Sequence, residues 1–449
     1  MKRQYLATAF FTCLAITLSG CGETPVEEPQ RTEPKPELEA SIWNEDITIV
    51  PPTDVLEEGF YKDVIMDGGT YLTSRKRLPA CEAYNISLEY FNAEADTPGD
   101  SLFQIQKFVG DDMDHNGFLV YPDGKPRFKL FYSCGGKSTS HGRCLADAGR
   151  NAVRDYFYNG GSYQGSCAGM FLGSQGKDGV ASTLTFYGIW PGMTVSSGLS
   201  GSATGMFIEE NSPLLNYFDF GGDHYVDSVR HNGGGYAYEM VFGSIPMARY
   251  DKPGRTMHNQ VCIWGWKNTP QQGRVVLCGS HPEEVEDGER RELMGAMMMY
   301  AMDGRGCAVL KKELHNGETY TADKDSRDND PLHARIGDGQ CHHFAVAIPA
   351  SARNIRFQLE YTGDYEIRMM ARKGTFALPS ASDRAVNGNA NRKEIQFDSV
   401  EPGVWYICVD NESRPENNVG PNGNIHYSGH TELLNGIPYQ LTVNWDTVK

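Results

Sequence analysis

The chain has 449 residues, too many for one ordinary domain, and its 39% hydrophobic and 11% aromatic content can fill more than one core. A net charge of −17 argues against nucleic acid as a partner, because gripping a phosphate backbone needs a basic face. Fifty glycines mark a turn-rich chain with many strands.

The first residues read as an export signal. Met1-Lys2-Arg3 is a positive start, and Leu6 to Leu18 is an apolar run too short to span a bilayer. No later stretch is apolar enough to span one. Leu18-Ser19-Gly20-Cys21 resembles the bacterial lipobox, whose cysteine receives the lipid, and Gly22 after it resembles the outer-membrane sorting pattern. These resemblances imply a lipoprotein of the bacterial cell envelope, held to the outer membrane through Cys21. Residues 22–45, rich in Pro and Glu, then form an extended tether. Of eleven cysteines, Cys13 leaves with the signal and Cys21 takes the lipid. With Cys167 free, eight remain for disulfides in an oxidising compartment; connectivity does not follow from sequence, and one arrangement is Cys134–Cys144, Cys262–Cys278, Cys341–Cys408 and Cys81–Cys307.

Residues 46–310 are expected as an α/β domain. Asp63 to Gly69 reads as a buried strand ending in a glycine turn, and Leu78 to Phe91 holds a short helix and a strand. Asp112, Asp114, Asn116 and Asp123 match most of a calcium loop. However, the twelfth residue is Asp, and a strand-like run, Phe118 to Tyr121, follows, so a plain polar loop is preferred. Arg127 to Tyr132 reads as a central strand ending in Ser133-Cys134-Gly135-Gly136. Leu145, Ala148, Ala152, Val153, Tyr156 and Phe157 then recur at helical spacing, and Gly160-Gly161 stops the helix. That order predicts a βαβ unit, with ligands at the carboxyl ends of its strands. From Val180 to Tyr250 short strands and loops alternate, and His231 to Gly235 reads as a structural turn. Val261 to Cys278 predicts a hairpin, and Glu289 to Met302 a helix whose methionines fill core. Residues 311–336 read as a polar linker. Residues 337–449 hold short alternating strands, an all-β sandwich signature.

The chemistry centres on Gly165-Ser166-Cys167-Ala168-Gly169. Glycines two places either side of a reactive side chain fit a sharp strand-to-helix turn, where a Cβ would strike neighbouring backbone. A helix start stabilises a thiolate at Cys167, and the Ala168 N–H, with Gly135 or Gly136, can form an oxyanion hole. The base must come from elsewhere. His281, in Gly279-Ser280-His281-Pro282-Glu283, follows a strand and so lies at the same sheet edge, and Glu283 can orient it. Met257-His258 and Cys341-His342-His343 offer no comparable setting.

The elbow from Gly161 to Gly169 and the Gly279 to Glu283 segment make residues 60–310 similar to the class I glutamine amidotransferase-like superfamily. Within it the likeness is to the domain at the N-terminus of some biotin–protein ligases. That resemblance implies a flavodoxin-like α/β sheet and a triad of Cys167, His281 and Glu283 that hydrolyses amides through a thioester. Thr362 to Arg368 and Glu401 to Ile407 resemble, more weakly, the pre-peptidase C-terminal β-domains of secreted bacterial hydrolases. The chain departs from the family in having no ATP-using synthetase or ligase domain, so glutamine-fed biosynthesis is not expected. The expectation is a cysteine hydrolase of a peptide or cell-envelope amide, with no cofactor. The alternative is a binding protein that keeps the fold without turnover.

Overall fold

The structure is a computed structural model, and it describes residues 47–449 apart from 69–74, 92–107, 183, 420–424 and 449. The export signal, Cys21 and the tether lie outside the described residues.

Nine strands form the main sheet. Its first half is parallel: β2 (Leu88–Phe91), β1 (Lys62–Asp67), β3 (Phe128–Ser133) and β4 (Ser162–Ser166) lie in that order, followed by the strand Val275–Cys278. The second half is antiparallel, running through Val261–Trp266, Ser244–Asp251, Ser202–Ile208 and Tyr225–His231. Period-two alternation sorts the parallel strands onto two cores. Val64, Met66, Leu130 and Tyr132 face the helix Gly288–Met302, while Ile65, Phe131, Tyr163 and Leu277 face the helices Ala146–Tyr158 and Ala168–Gly173. Met294, Met297 and Met298 are fully buried and fill the first core as expected.

The molecule is mainly β, with several sheets, and strand extends well beyond the expected C-terminal β-domain. The reason lies in residues 174–251. Their glycines, serines and short apolar runs make further strands where a doubly wound sheet would place helices, including a separate sheet built from Ser174–Lys177, Val180–Ala181, Trp190–Ser196 and Gly235–Ala237.

Residues 311–336 are not a bare linker. Leu310–Leu314 and Glu318–Ala322 join the two C-terminal sheets, beside Cys341–Ile348 and Tyr439–Thr447 respectively. Those sheets share one core, in which Phe344, Ile407 and Val409 of one meet Phe357, Leu359 and Leu441 of the other. Arg127, on the approach to β3, is buried against Asp338 of the C-terminal region, with Nε 3.0 Å from Oδ1 and a second N–H donated to Oδ2 at 2.5 Å.

None of the nine cysteines of the described residues is disulfide-bonded, so none of the four expected disulfides is present. Cys134, for example, turns its sulfur to the Gly68 carbonyl at 2.9 Å instead of toward Cys144. No helix of the described residues is long and apolar enough to cross a membrane.

Candidate functional site

The carboxyl ends of β3, β4 and the strand Val275–Cys278 bring the expected residues to one place. Cys167 leaves β4 at φ 50°, ψ −100° and caps the helix Ala168–Gly173. A left-handed backbone at a non-glycine residue costs on the order of 1–3 kcal/mol and persists only where the surroundings enforce it. Here they do. The Cys167 N–H is donated to the Cys278 carbonyl at 2.8 Å, which ties the turn to the strand that leads to His281.

The flanking glycines are sterically required. A Cβ on Gly165 would lie 2.3 Å from the Gly169 carbonyl, and one on Gly169 would lie 2.1 Å from the Ser133 oxygen. Both obstacles are backbone, which cannot swing aside. Tyr163 adds a fixed point by donating its hydroxyl to the Gly169 carbonyl at 2.7 Å.

His281 reaches this turn from the next strand. Its Nδ1 is 2.8 Å from Glu283 Oε1, and Glu283 is 2% exposed. Burial disfavours a charged His281, but its contacts with Cys167 and Glu283 outweigh that and push its pKa up to about 10. Gly135 packs against the Cε1 edge of the ring, since a Cβ there would fall 2.2 Å from His281 Cε1. Gly136 follows at φ 147°. The Gly135-Gly136 loop therefore borders the same space as Cys167 and His281. Ala168 opens the helix, so its N–H has no intrahelical acceptor.

The loop after Tyr225–His231 also borders the site, which the sequence did not reveal. Asn232 accepts the Cys167 thiol through its backbone oxygen at 3.6 Å. His281 donates its backbone N–H to Arg230 at 2.9 Å. His231 is fully buried, with Nε2 2.6 Å from Ser197 Oγ and Nδ1 2.9 Å from Ser280 Oγ. Burial and the neighbouring His281 lower its pKa to about 4, so it stays neutral and braces the turn before His281. The only sequence signal for this role was the turn His231 to Gly235 itself. Nothing in that turn locates it beside the thiol.

The side chains of the calcium pattern are not gathered in the structure. Asp123 is engaged by Lys311 Nζ at 2.9 Å and by Gln340 at 2.7 Å, and lies 3.5 Å from His342. Asp112 is fully exposed, and the Asn116 amide is spent on the carbonyls of Gly117 and Val120. The four side chains do not converge, because Asp123 turns into the C-terminal sheets instead of back toward Asp112.

No protein-family model matches the chain, and no curated protein sequence does. Among solved structures, the pre-peptidase C-terminal domain of a collagenase from Bacillus anthracis aligns at 15% identity and a TM-score of 0.19, covering 30% of this chain and 98% of that one. The periplasmic lysozyme inhibitor PliG of Aeromonas hydrophila aligns at 10% identity and a TM-score of 0.17, covering 30% and 98%. A family 43 arabinoxylan arabinofuranohydrolase from Bacillus subtilis aligns at 10% identity and a TM-score of 0.17, covering 49% and 57%. At these scores the likenesses assign neither fold nor function.

Proposed function

We propose that this chain is an exported, lipid-anchored cysteine hydrolase that cleaves an amide bond through a thioester. The observation that carries the reading is Cys167 held at φ 50° at a helix start, beside an imidazole whose Nδ1 is fixed by the buried Glu283. A thiol, a base and an orienting carboxylate at adjoining strand ends match the logic of a nucleophilic triad.

The steps follow from that placement. His281 already holds the proton of the resting pair, and Cys167 Sγ attacks the carbonyl carbon as the thiolate. The oxyanion is stabilised by the Ala168 N–H and by an N–H of Gly135 or Gly136, each worth on the order of 3 kcal/mol of barrier. His281 then gives its proton to the leaving nitrogen, the C–N bond breaks, and an acyl thioester stays on Cys167. Water attacks the thioester, His281 accepts its proton, and the carboxylate leaves as the thiol is restored.

In this reading the parallel half of the main sheet is the flavodoxin-like core of a class I glutamine amidotransferase-like domain, of the type found at the N-terminus of some biotin–protein ligases. The C-terminal sheets are a pre-peptidase-type domain that binds substrate or surface. Cys21 anchors the chain to the bacterial outer membrane, and the substrate is a peptide or a cell-envelope amide. The test is a peptide and amide library turned over by wild type and by Cys167→Ala, with intact mass read during turnover. An acyl adduct on Cys167 in wild type, and no turnover in the variant, is the expected result. Equal turnover in both shows that Cys167 is not the nucleophile, and none in either points to a protein that only binds.

A further inference from the structure

Cys341-x-His343 on one C-terminal strand faces Cys408-x-Asp410 on its antiparallel neighbour. The register pairs Cys341 with Asp410 and His343 with Cys408. Residues two apart share a face of a strand, and so do directly opposed residues. The ladder therefore presents four potential donors as a two-by-two array on one face.

The side chains are gathered. Both sulfurs and a His343 ring nitrogen lie within 4.8 Å of one another. Cys341 is 8% exposed, His343 2% and Cys408 0%. Asp410 Oδ1 is 3.6 Å from Cys341 Sγ, while its Oδ2 is held by Arg368 at 2.5 Å. Met370 and Ala377 close the apolar side.

His343 supplies the second, independent observation. Its Nε2 is 3.2 Å from Glu57 Oε1, and its Nδ1 is buried without a hydrogen-bond partner. A buried ring nitrogen is seldom left unpaired. A carboxylate on one nitrogen, with the other directed at thiols, is the outer-shell arrangement that orients a metal-binding histidine.

We propose that Cys341, His343 and Cys408 bind a thiophilic ion of the zinc class, with Asp410 Oδ1 as fourth ligand and Glu57 as the residue that positions His343. Around a tetrahedral zinc, ligand atoms sit about 3.6 Å apart, so the Cys341, His343 and Cys408 atoms, within 4.8 Å of one another, draw in by up to about 1.2 Å, and Asp410, outside that group, swings in beside Cys341. On binding, each thiol releases one proton to solvent. The ion and Arg368 then balance the charge of the two thiolates and Asp410. Glu57 precedes β1 in the chain, so the site clamps the N-terminal segment to the C-terminal sheets.

The test is titration of the reduced full chain with Co2+, followed by displacement with Zn2+. The expected result is one Co2+ per chain, with a near-ultraviolet thiolate-to-cobalt charge-transfer band and visible bands of a tetrahedral ion. Both are lost in Cys341→Ser/Cys408→Ser. Glu57→Gln keeps every donor and is expected to weaken the metal about 10- to 100-fold. This variant keeps the test decisive if the double variant does not fold. Absence of the charge-transfer band in wild type, its persistence in the double variant, unchanged affinity in Glu57→Gln, or a Cys341–Cys408 disulfide that forms in the presence of Zn2+ each overturn the proposal.

Discussion

His281 Nδ1 and Glu283 Oε1 stand 2.8 Å apart, two residues from each other in the chain and at the end of a strand hydrogen-bonded to the one that carries Cys167. Burial alone would strip His281 of its proton, yet Cys167 and Glu283 raise its pKa to about 10. The proton that protonates the leaving amine is therefore retained across neutral pH and lost only as pH rises through about 10. The alkaline limb of the activity profile is expected near that value. Glu283→Gln removes one raising contact, so the limb moves down toward the ordinary histidine range and kcat falls about 10- to 100-fold. A pH–rate profile of the two proteins checks this, and an unmoved limb contradicts it.

The elbow glycines give a steric prediction. Gly169→Ala places a methyl 2.1 Å from the Ser133 carbonyl oxygen, and Gly165→Ala places one 2.3 Å from Gly169. Each is expected to lower stability by about 1–3 kcal/mol, as overpacking does in close-packed interiors. Each also displaces Cys167 and cuts activity more than 100-fold, because a shift of about 1 Å at a reacting centre has that effect. Urea melts and turnover rates read the two effects separately. By contrast, Gly179→Ala has open space around its Cβ and pays only for its φ of +78°.

His231 sets an acid limit on the fold. Its folded pKa of about 4 lies below the ordinary histidine value of 6.5, so the stability it contributes is present above pH 6.5 and is lost as pH falls toward 4. At about 1.4 kcal/mol per unit, the loss reaches about 3 kcal/mol. His231→Gln, which keeps hydrogen bonding to Ser197 or Ser280 and cannot titrate, is expected to flatten that part of the curve. Denaturant melts from pH 7 to pH 4 make the measurement, and parallel curves for the two proteins count against the assignment.

Arg127 and Asp338 form a buried pair, 2% and 1% exposed, between the main-sheet region and the C-terminal region. Arg127→Met leaves the Asp338 carboxylate buried without its cation and is expected to cost about 3–5 kcal/mol. Arg127→Met with Asp338→Leu removes both charges and is expected to recover most of that. Recovery distinguishes a pairing requirement from simple loss of Arg127 packing against Tyr61 and Tyr427. A double-mutant cycle by thermal melting makes the comparison.

Local chemistry was legible in the sequence, and tertiary partnership was not. The glycine spacing around Cys167 announced a turn that tolerates no Cβ, and the contacts of Gly165 and Gly169 are what that spacing requires. The hairpin through Val261–Trp266 and Val275–Cys278 and the helix over the methionines followed from periodicity. That Ser202–Ile208, Tyr225–His231 and Ser244–Asp251 extend the same sheet did not, because local pattern marks a strand and not the strand it pairs with. Residues 311–336 looked like a linker because their strands are edge strands with charged, solvent-facing side chains. Asn232 contributes a backbone oxygen, which no side-chain pattern can advertise. Even cysteine counting pointed to disulfides where the described residues have none, since parity says nothing about where sulfurs point.

The central claim is that Cys167 is an activated nucleophile, and its alkylation by iodoacetamide tests this most directly. Rates are read site by site by mass spectrometry at pH 7, with the partly exposed Cys144 as an internal reference. The account predicts that Cys167 reacts faster than Cys144 although it is only 4% exposed, and that His281→Ala slows Cys167 at least tenfold while leaving Cys144 unchanged. A Cys167 that reacts no faster than Cys144, at a rate indifferent to His281, contradicts it.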